Sequence, residues 1–262
     1  MSEFASHVGV DFARLVRADN PSPMTLEGTN TWLVRDGDAW VVIDPGPMLD
    51  QHLDSLESAT DGRVSRVLLT HGHPDHAEGA ALFASRVKAP LFAARADVGV
   101  EPFERDQEIG LASGSLTVLP TPGHTGDSTT FVARVGDQAA LFTGDTVLGR
   151  GTTVLMPPDG TLGDYLESLE RLEWIAAELH HQGLAMALLP GHGPAHPDAL
   201  PVIAYYLDHR QERLEQIRMH LREGITDPHE LVARIYADVP EAVKAAALLS
   251  LQAQLEYLSD RA

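Results

Sequence analysis

Three imidazoles and a carboxylate crowd into the six positions His71-Gly72-His73-Pro74-Asp75-His76, directly after Thr70 and the apolar run Val67-Leu68-Leu69. Packing alone does not ask for that composition. Imidazole is the commonest protein ligand for borderline transition metals, and carboxylate adds a harder oxygen donor. Val64 to Thr70 reads as a buried strand, too short and too rich in Val and Leu for a helix. Pro74 lacks an N–H and fixes its own φ, so a turn is expected there; Ala77 to Arg86 then reads as a helix with apolar Ala80, Ala81 and Phe83. On a loop between that strand and that helix, His71 and His73 can point toward one metal, and Asp75 and His76 toward a second beside it. The helix N-terminus also favours negative charge, which suits Asp75 or a bound anion. A His-rich surface loop is the plain alternative, and this density of ligand types outweighs it.

The rest of the chain repeats the pattern of strand, breaker and ligand type. Thr29 to Arg35 and Ala39 to Ile43 read as a hairpin around Asp36-Gly37-Asp38, closed by Asp44-Pro45-Gly46, with a short helix over Gln51 to Ala59. Pro90 to Ala93 is strand-like and Asp97 to Gly110 irregular. Leu116 to Leu119 is a strand stopped by Pro120-Thr121-Pro122-Gly123 just before His124. Thr129 to Val135 and Gln138 to Phe142 form a second hairpin, followed at once by Thr143-Gly144-Asp145. Tyr165 to His180 has helical periodicity, and the apolar strand Ala185 to Leu189 ends at Pro190-Gly191-His192. Strands therefore stop at Asp44, His71 to His76, His124, Asp145 and His192, which is how loops at one edge of a rigid sheet bring distant residues together. From Pro201 the pattern is helical only: Pro201 to Glu223, a second helix with Asp227 as N-cap before Pro228 and Glu230, and a third opened by Pro240. The expected division is a strand-rich domain carrying these residues over 1–200, the candidate catalytic domain, and a small helical module over 201–262.

Composition bounds the function. The chain has 44% hydrophobic and 22% charged residues, and 19 basic against 38 acidic residues give a formal charge of −19. Two divalent cations would offset about four of those charges. Such a surface repels polyanions at long range, so no stable DNA binding is expected. The absence of cysteine excludes disulfides, thiolate catalysis and Cys-ligated zinc. No secretory signal opens the sequence and no run approaches the roughly 18 apolar residues of a membrane span, so a soluble, cytoplasmic protein with no membrane partner is expected.

The set His71-x-His73-x-Asp75-His76, His124, Asp145 and His192 resembles the metallo-β-lactamase superfamily, in order over residues 8–200. Met24-Thr25-Leu26-Glu27-Gly28-Thr29-Asn30-Thr31, Gly144-Asp145 with Leu148-Gly149-Arg150-Gly151-Thr152, and Gly163-Asp164-Tyr165 are similar to the β-lactamase-like protein 2 group, whose members carry a helical, winged-helix-like module at the C-terminus. The resemblance implies an α/β fold: an αββα four-layer sandwich of two mixed β-sheets with a small C-terminal helical module. It further implies that His71, His73 and His124 hold one metal and Asp75, His76 and His192 the other, that Asp145 bridges them, and that Asp44 supports the loops without ligating. The implied cofactors are two Zn²⁺, with iron or manganese as alternatives, and the implied enzyme is a dinuclear zinc hydrolase. Such a pair would activate a water for attack on a carbonyl or phosphoryl centre, with Asp75 expected as the catalytic residue orienting it.

Ester, thioester or phosphodiester hydrolysis is expected first, on a small molecule or a short RNA. The alternatives are a single-stranded RNA endoribonuclease and an iron-dependent oxidoreductase of the same fold. Against RNA, residues 206–262 hold 7 Lys and Arg against 10 Asp and Glu, where a nucleic-acid module is normally basic. The three C-terminal helices could serve a homodimer or shape the pocket. Of the remaining candidates, the loop Asn20 to Asn30 could cover the site. His180 and His181 are expected in solvent and His196 in a surface turn, and Trp32, Trp40 and Trp174 in packing. His209-Arg210 is expected to salt-bridge with neighbouring Glu.

Overall fold

The computed structural model describes residues 9–95, 101–104, 106–237 and 239–261. In chain order these form β1 (Ala13–Arg17), β2 (Asn30–Asp36), β3 (Ala39–Ile43), α1 (Asp50–Thr60), β4 (Val64–Leu68), α2 (Pro74–Ala77), α3 (Ala80–Val87), β5 (Leu91–Ala93), β6 (Glu101–Pro102), β7 (Glu108–Leu111), β8 (Gly114–Pro120), β9 (Thr129–Val135) and β10 (Gln138–Gly144). Then come α4 (Leu162–His181), β11 (Met186–Pro190), α5 (Leu200–Arg222), α6 (Pro228–Ile235), a 3₁₀ turn at Glu241–Val243, and α7 (Lys244–Ser259).

Side-chain alternation along the strands decides the layering. In the β2–β3 hairpin, Trp32, Val34, Val41 and Ile43 pack on one face while Leu33, Trp40 and Val42 pack on the other. In β10, Ala140 and Phe142 face one core, Ala139 and Leu141 another. Strands buried on both faces belong to inner layers. The first sheet has the order β1-β2-β3-β4-β5-β6 and the second β11-β10-β9-β8-β7. Both are mixed: the first turns parallel from β3 onward, and the second pairs β10 with β11 in parallel. Their facing sides share one core, in which Trp32, Ile43 and Leu68 meet Leu116, Phe131 and Phe142. Leu53, Leu56 and Phe83 from α1 and α3 cover the outer face of the first sheet. Tyr165, Leu169, Ile203, Tyr206, Leu214 and Ala253 from α4, α5 and α7 cover that of the second. This is the expected αββα sandwich with C-terminal helices. No helix among the described residues is long and apolar enough to cross a membrane.

Two helix starts follow their sequence signals. Asp227 caps α6 by accepting from the Glu230 N–H at 2.8 Å, and Thr161 caps α4 by accepting from the Asp164 N–H at 3.1 Å.

Other details differ from the sequence reading. Pro74 opens a helical turn, α2, rather than a plain turn, and occupies the first helical position where its missing N–H costs nothing. The helix expected over Ala77 to Arg86 is broken at Glu78-Gly79, because Gly79 donates to the Gly46 carbonyl at 3.0 Å instead of continuing the helical ladder. The stretch expected to be irregular contains β6 and most of β7, while 97–100 and 105 lie outside the described residues. Trp174, expected in packing, is 68% exposed on the outer side of α4. Trp32 and Trp40 are buried.

Candidate metal centre

Strand direction collects the site. β3 and β4 run parallel in one sheet; β8, β10 and β11 share a direction in the other, because β9 is antiparallel to both β8 and β10. Their C-terminal ends deliver Asp44, Thr70 with His71 to His76, His124, Asp145 and His192 to one edge of the sandwich. Cross-sheet bonds hold that edge together: the Thr129 N–H donates to the Thr70 carbonyl at 2.8 Å and the Asn30 N–H to the Gly191 carbonyl at 2.7 Å. The Asn30 amide also donates to the Pro190 and Gly193 carbonyls, at 3.0 and 2.9 Å. A side chain at Gly191 would meet Asp145 Oδ1 and His76 Cε1 at 2.7 Å, so only glycine lets the backbone pass this close to both.

Hydrogen bonds at the outer ring nitrogens fix how the histidines face inward. Thr70 Oγ1 lies 2.6 Å from Asp44 Oδ2, and a carboxylate only accepts, so the hydroxyl proton points there. Thr70 Oγ1 must then accept from His71 Nδ1, 3.0 Å away. His76 Nδ1 donates to Asp44 Oδ2 at 2.9 Å, His124 Nδ1 to the Val154 carbonyl at 2.8 Å, and His192 Nδ1 to the Gly28 carbonyl at 3.3 Å. In the neutral rings all four Nε2 atoms therefore carry lone pairs, and all four point into one space. His76 Nε2 and His192 Nε2 are 3.2 Å apart; His71 Nε2 and His124 Nε2 lie 3.1 and 3.0 Å from His73 Nδ1. Asp145 Oδ2 stands 3.5 Å from His192 Nε2 and 3.8 Å from His124 Nε2, so this carboxylate sits between the two histidine groups. Its Oδ1 is buried without a hydrogen-bond partner. Asp75 Oδ2 is 3.1 Å from His192 Nε2.

Ring nitrogens this close to one another and to a buried carboxylate need a cation among them, whether a proton or a metal ion. The donor set fits borderline divalent metals: nitrogen and oxygen only, with second hydrogen bonds orienting each ring. Three groups bring their ligand atoms within 4.8 Å of one another: His71 with His73 and His124; His71 with His76 and Asp145; Asp75 with His76 and His192.

On the Asp145 side the electrostatics favour positive charge, which a proton on Nε2 or a metal ion can supply. Burial works against a charged His192, yet Asp145 and Asp75 outweigh it and push its pKa up to about 9. His76 is likewise raised well above the ordinary imidazole range, against burial, by Asp145 and Asp44. Burial opposes the charge of Asp145, but His192 and His76 hold its carboxyl well below the usual range. His71 moves the other way, held well below its ordinary value by burial and by neighbouring His76. The cluster thus attracts positive charge at its Asp145 side and keeps His71 neutral at the other.

All seven residues singled out as metal ligands meet here, and Asp44 stands behind them, touching Thr70 and His76. The loop from Asn20 to Asn30 reaches the site through the Gly28 carbonyl at His192, and Glu27 ion-pairs with Arg150 from the facing loop. His196 is pinned by the Gly149 carbonyl, 2.6 Å from Nε2, and His180 and His181 are exposed. Arg210 departs from expectation: it is 2% exposed and donates to the Thr153 carbonyl rather than to a glutamate. Sequence reasoning missed Thr31 and His52, which hold Asp44 from behind: Thr31 Oγ1 donates to the Asp44 carbonyl at 2.6 Å and lies 2.9 Å from His52 Nε2. A buried histidine on an amphipathic helix gives no local signal of that use. Val154 acts through its backbone carbonyl, which no side-chain pattern announces.

An αββα sandwich with histidines and aspartates gathered at one sheet edge defines a metallo-β-lactamase fold, and the chain belongs to the metallo-beta-lactamase superfamily, which residues 24–192 match. Residues 228–261 match the beta-lactamase associated winged helix domain. Within the family it is similar to a beta-lactamase-like protein 2 homolog of Caenorhabditis elegans, 31% identical over 95% of this chain and 84% of that one. It is also similar to an atrochrysone carboxyl ACP thioesterase of Aspergillus chevalieri, 32% identical over 90% of this chain and 77% of that one. A metallo-beta-lactamase family protein of Thermus thermophilus shares the fold, with a TM-score of 0.74 and 21% identity over 95% of this chain and 94% of that one.

Proposed function

We propose that this chain is a metal-dependent hydrolase that cleaves an ester or thioester. The observation that carries the reading is the ring lock: outer ring nitrogens held by Thr70, Asp44, Val154 and Gly28 aim four Nε2 atoms at one space beside Asp145. His71, His73 and His124 would hold one divalent ion, Asp75, His76 and His192 a second, with Asp145 between them. When bound, such a pair polarises a substrate oxygen and brings the pKa of water toward 7. Zinc suits the nitrogen-rich donor set, and iron or manganese suits its carboxylates as well.

The protein's own part is positioning and proton handling. Asp75 is the more exposed carboxylate of the site, 28% against 13% for Asp145, which supports it as the residue that would orient an attacking water and take its proton. The Gly28 carbonyl orients the His192 ring, whose Nε2 lies 3.1 Å from Asp75 Oδ2. The thioester reading draws support from the Aspergillus thioesterase relative, whose likeness spans both the sandwich and the C-terminal helices. A second reading, cleavage of single-stranded RNA, draws on the winged-helix match at residues 228–261; the charge of −19 weighs against it.

A panel tests this: metal content after purification without added metal, then turnover of an acyl thioester, an aryl phosphodiester, a short single-stranded RNA and a β-lactam. Two zinc per chain with chelator-sensitive thioester turnover is the expected result. One iron per chain with oxygen uptake, or a full metal load with no hydrolysis, would overturn it. Asp75→Ala should lower turnover by two or more orders of magnitude; unchanged turnover at full metal load would remove Asp75 from the reaction.

A further inference from the structure

We infer that Arg210, on the first C-terminal helix, is a positioning residue: it latches the strap Thr153–Leu155 so that His124 and Asp145 stand ready for metal. The inference rests on the metal-site reading above. Each residue of the strap is tied through its backbone. The Thr153 carbonyl accepts from Arg210. The Val154 carbonyl accepts from His124 Nδ1 at 2.8 Å and thereby sets which nitrogen of that ring faces inward. The Leu155 N–H donates to Ser250 Oγ on α7 at 3.3 Å. The carbonyl that orients His124 is thus bracketed by two bonds from the C-terminal helices. The Thr153 hydroxyl donates to the Asp145 carbonyl at 2.7 Å, so the same strap also holds the backbone of the carboxylate between the two ligand groups. A third bond from the C-terminal helices, Tyr206 Oη on α5 accepting from the Leu148 N–H at 2.8 Å, fixes the start of this loop.

Arg210 is an expensive way to hold one backbone carbonyl. It is buried, its guanidinium lies 5.0 Å over the Tyr165 ring, and among the described residues no carboxylate is within ion-pair distance. Its Nε has no hydrogen-bond partner. Replacing such a buried cation by an apolar side chain of similar volume often leaves a fold as stable or more so, so packing alone does not account for it. Arg213, one turn along α5, supplies a matched control. It stacks at 4.9 Å over Tyr236 and donates to the Ile235 carbonyl at 2.7 Å, within the C-terminal helices and away from the strap.

The test uses the full chain as wild type, Arg210→Met, Arg210→Lys and Arg213→Met. Zn²⁺ affinity is measured by competition with a chromophoric chelator, and the His124 ring tautomer by ¹⁵N–¹H correlation in the metal-free protein. Arg210→Met should weaken at least one zinc site by about 10–100-fold, the cost typical of losing an outer support, and should lose the protected His124 Nδ1–H signal. Arg210→Lys should recover part of both, and Arg213→Met should match wild type. Wild-type affinity and tautomer in Arg210→Met, or an equal loss in Arg213→Met, would overturn the latch. Should Arg210→Met not fold, Ser250→Ala reads the other bracket: a several-fold weaker zinc site supports the latch, and an unchanged one overturns it. Wild type that binds no zinc would overturn the metal reading alone, and the imidazole signal would still decide the latch.

Discussion

At the scale of single residues, Asp44 does the most without being placed to ligate. One carboxylate receives the Thr70 N–H at 2.8 Å, the Thr70 hydroxyl at 2.6 Å and His76 Nδ1 at 2.9 Å. It therefore sets the ring state of His76 directly and of His71 through Thr70. Asp44→Asn presents an N–H₂ to at least one of these donors and should weaken metal binding by about 10–100-fold, read by chelator competition; unaltered affinity would show that the rings orient without it. Behind Asp44, burial presses His52 down to a pKa of about 4, against the help of the Pro45 backbone. The unfolded chain takes up that proton near pH 6.5 and the folded chain only near 4, so stability falls as pH drops through that window. The loss attributable to His52 approaches about 3 kcal/mol at its lower end. His52→Gln should flatten this part of the stability curve in urea melts at pH 7, 5.5 and 4.5; an equal slope would assign the acid loss to other groups. The ligand residues were legible in the sequence because their signal is local: four of the seven sit in one hexapeptide, and the others each follow a strand and a breaker. His52, Val154 and Arg210 were not, since each acts through a contact more than 20 positions away.

At the scale of elements, the site depends on where strands stop. Gly123 ends the segment after β8 with φ at +140°, a conformation other residues rarely adopt, and a side chain there would collide with the Tyr165 backbone on α4. Gly123→Ala should displace His124 and remove about one metal per chain at equilibrium, measured by elemental analysis after desalting; a full metal complement would show that α4 yields. The hairpins β2–β3 and β9–β10 could be read from turn chemistry and strand pattern, because Asp36-Gly37-Asp38 and Gly136-Asp137 are strong local turn signals. The break between α2 and α3 could not. Its cause is the Gly46 carbonyl, which arrives from a different loop and captures the Gly79 N–H. The same holds for Trp174: helical periodicity gives a stripe, but which stripe faces the sheet depends on the neighbouring helices.

At the scale of the whole molecule, the C-terminal helices share a core with the sandwich. Ile203, Tyr206 and Leu214 of α5 and Ala253 of α7 belong to the same buried cluster as Tyr165, Leu169 and Leu188, while a smaller cluster joins α5, α6 and α7 through Ile217, Leu231 and Leu251. Removing residues 201–262 would expose the first cluster to water at roughly 25 cal/mol per Å² of apolar area. The shortened chain should aggregate or lose its cooperative melt, seen by size exclusion and near-UV circular dichroism; a monodisperse, cooperatively melting fragment would show that the sandwich stands alone. The ligand-bearing loops come from both sheets, His71 to His76 from one and His124, Asp145 and His192 from the other. Ions seated among them would act as rivets across the seam between two halves otherwise joined by greasy contact and a few backbone bonds. Heat tolerance would then climb with occupancy, by RT ln(1 + [metal]/Kd) for each rivet, and starving the chain of metal would slacken the joint between the sheets as well as silence the chemistry.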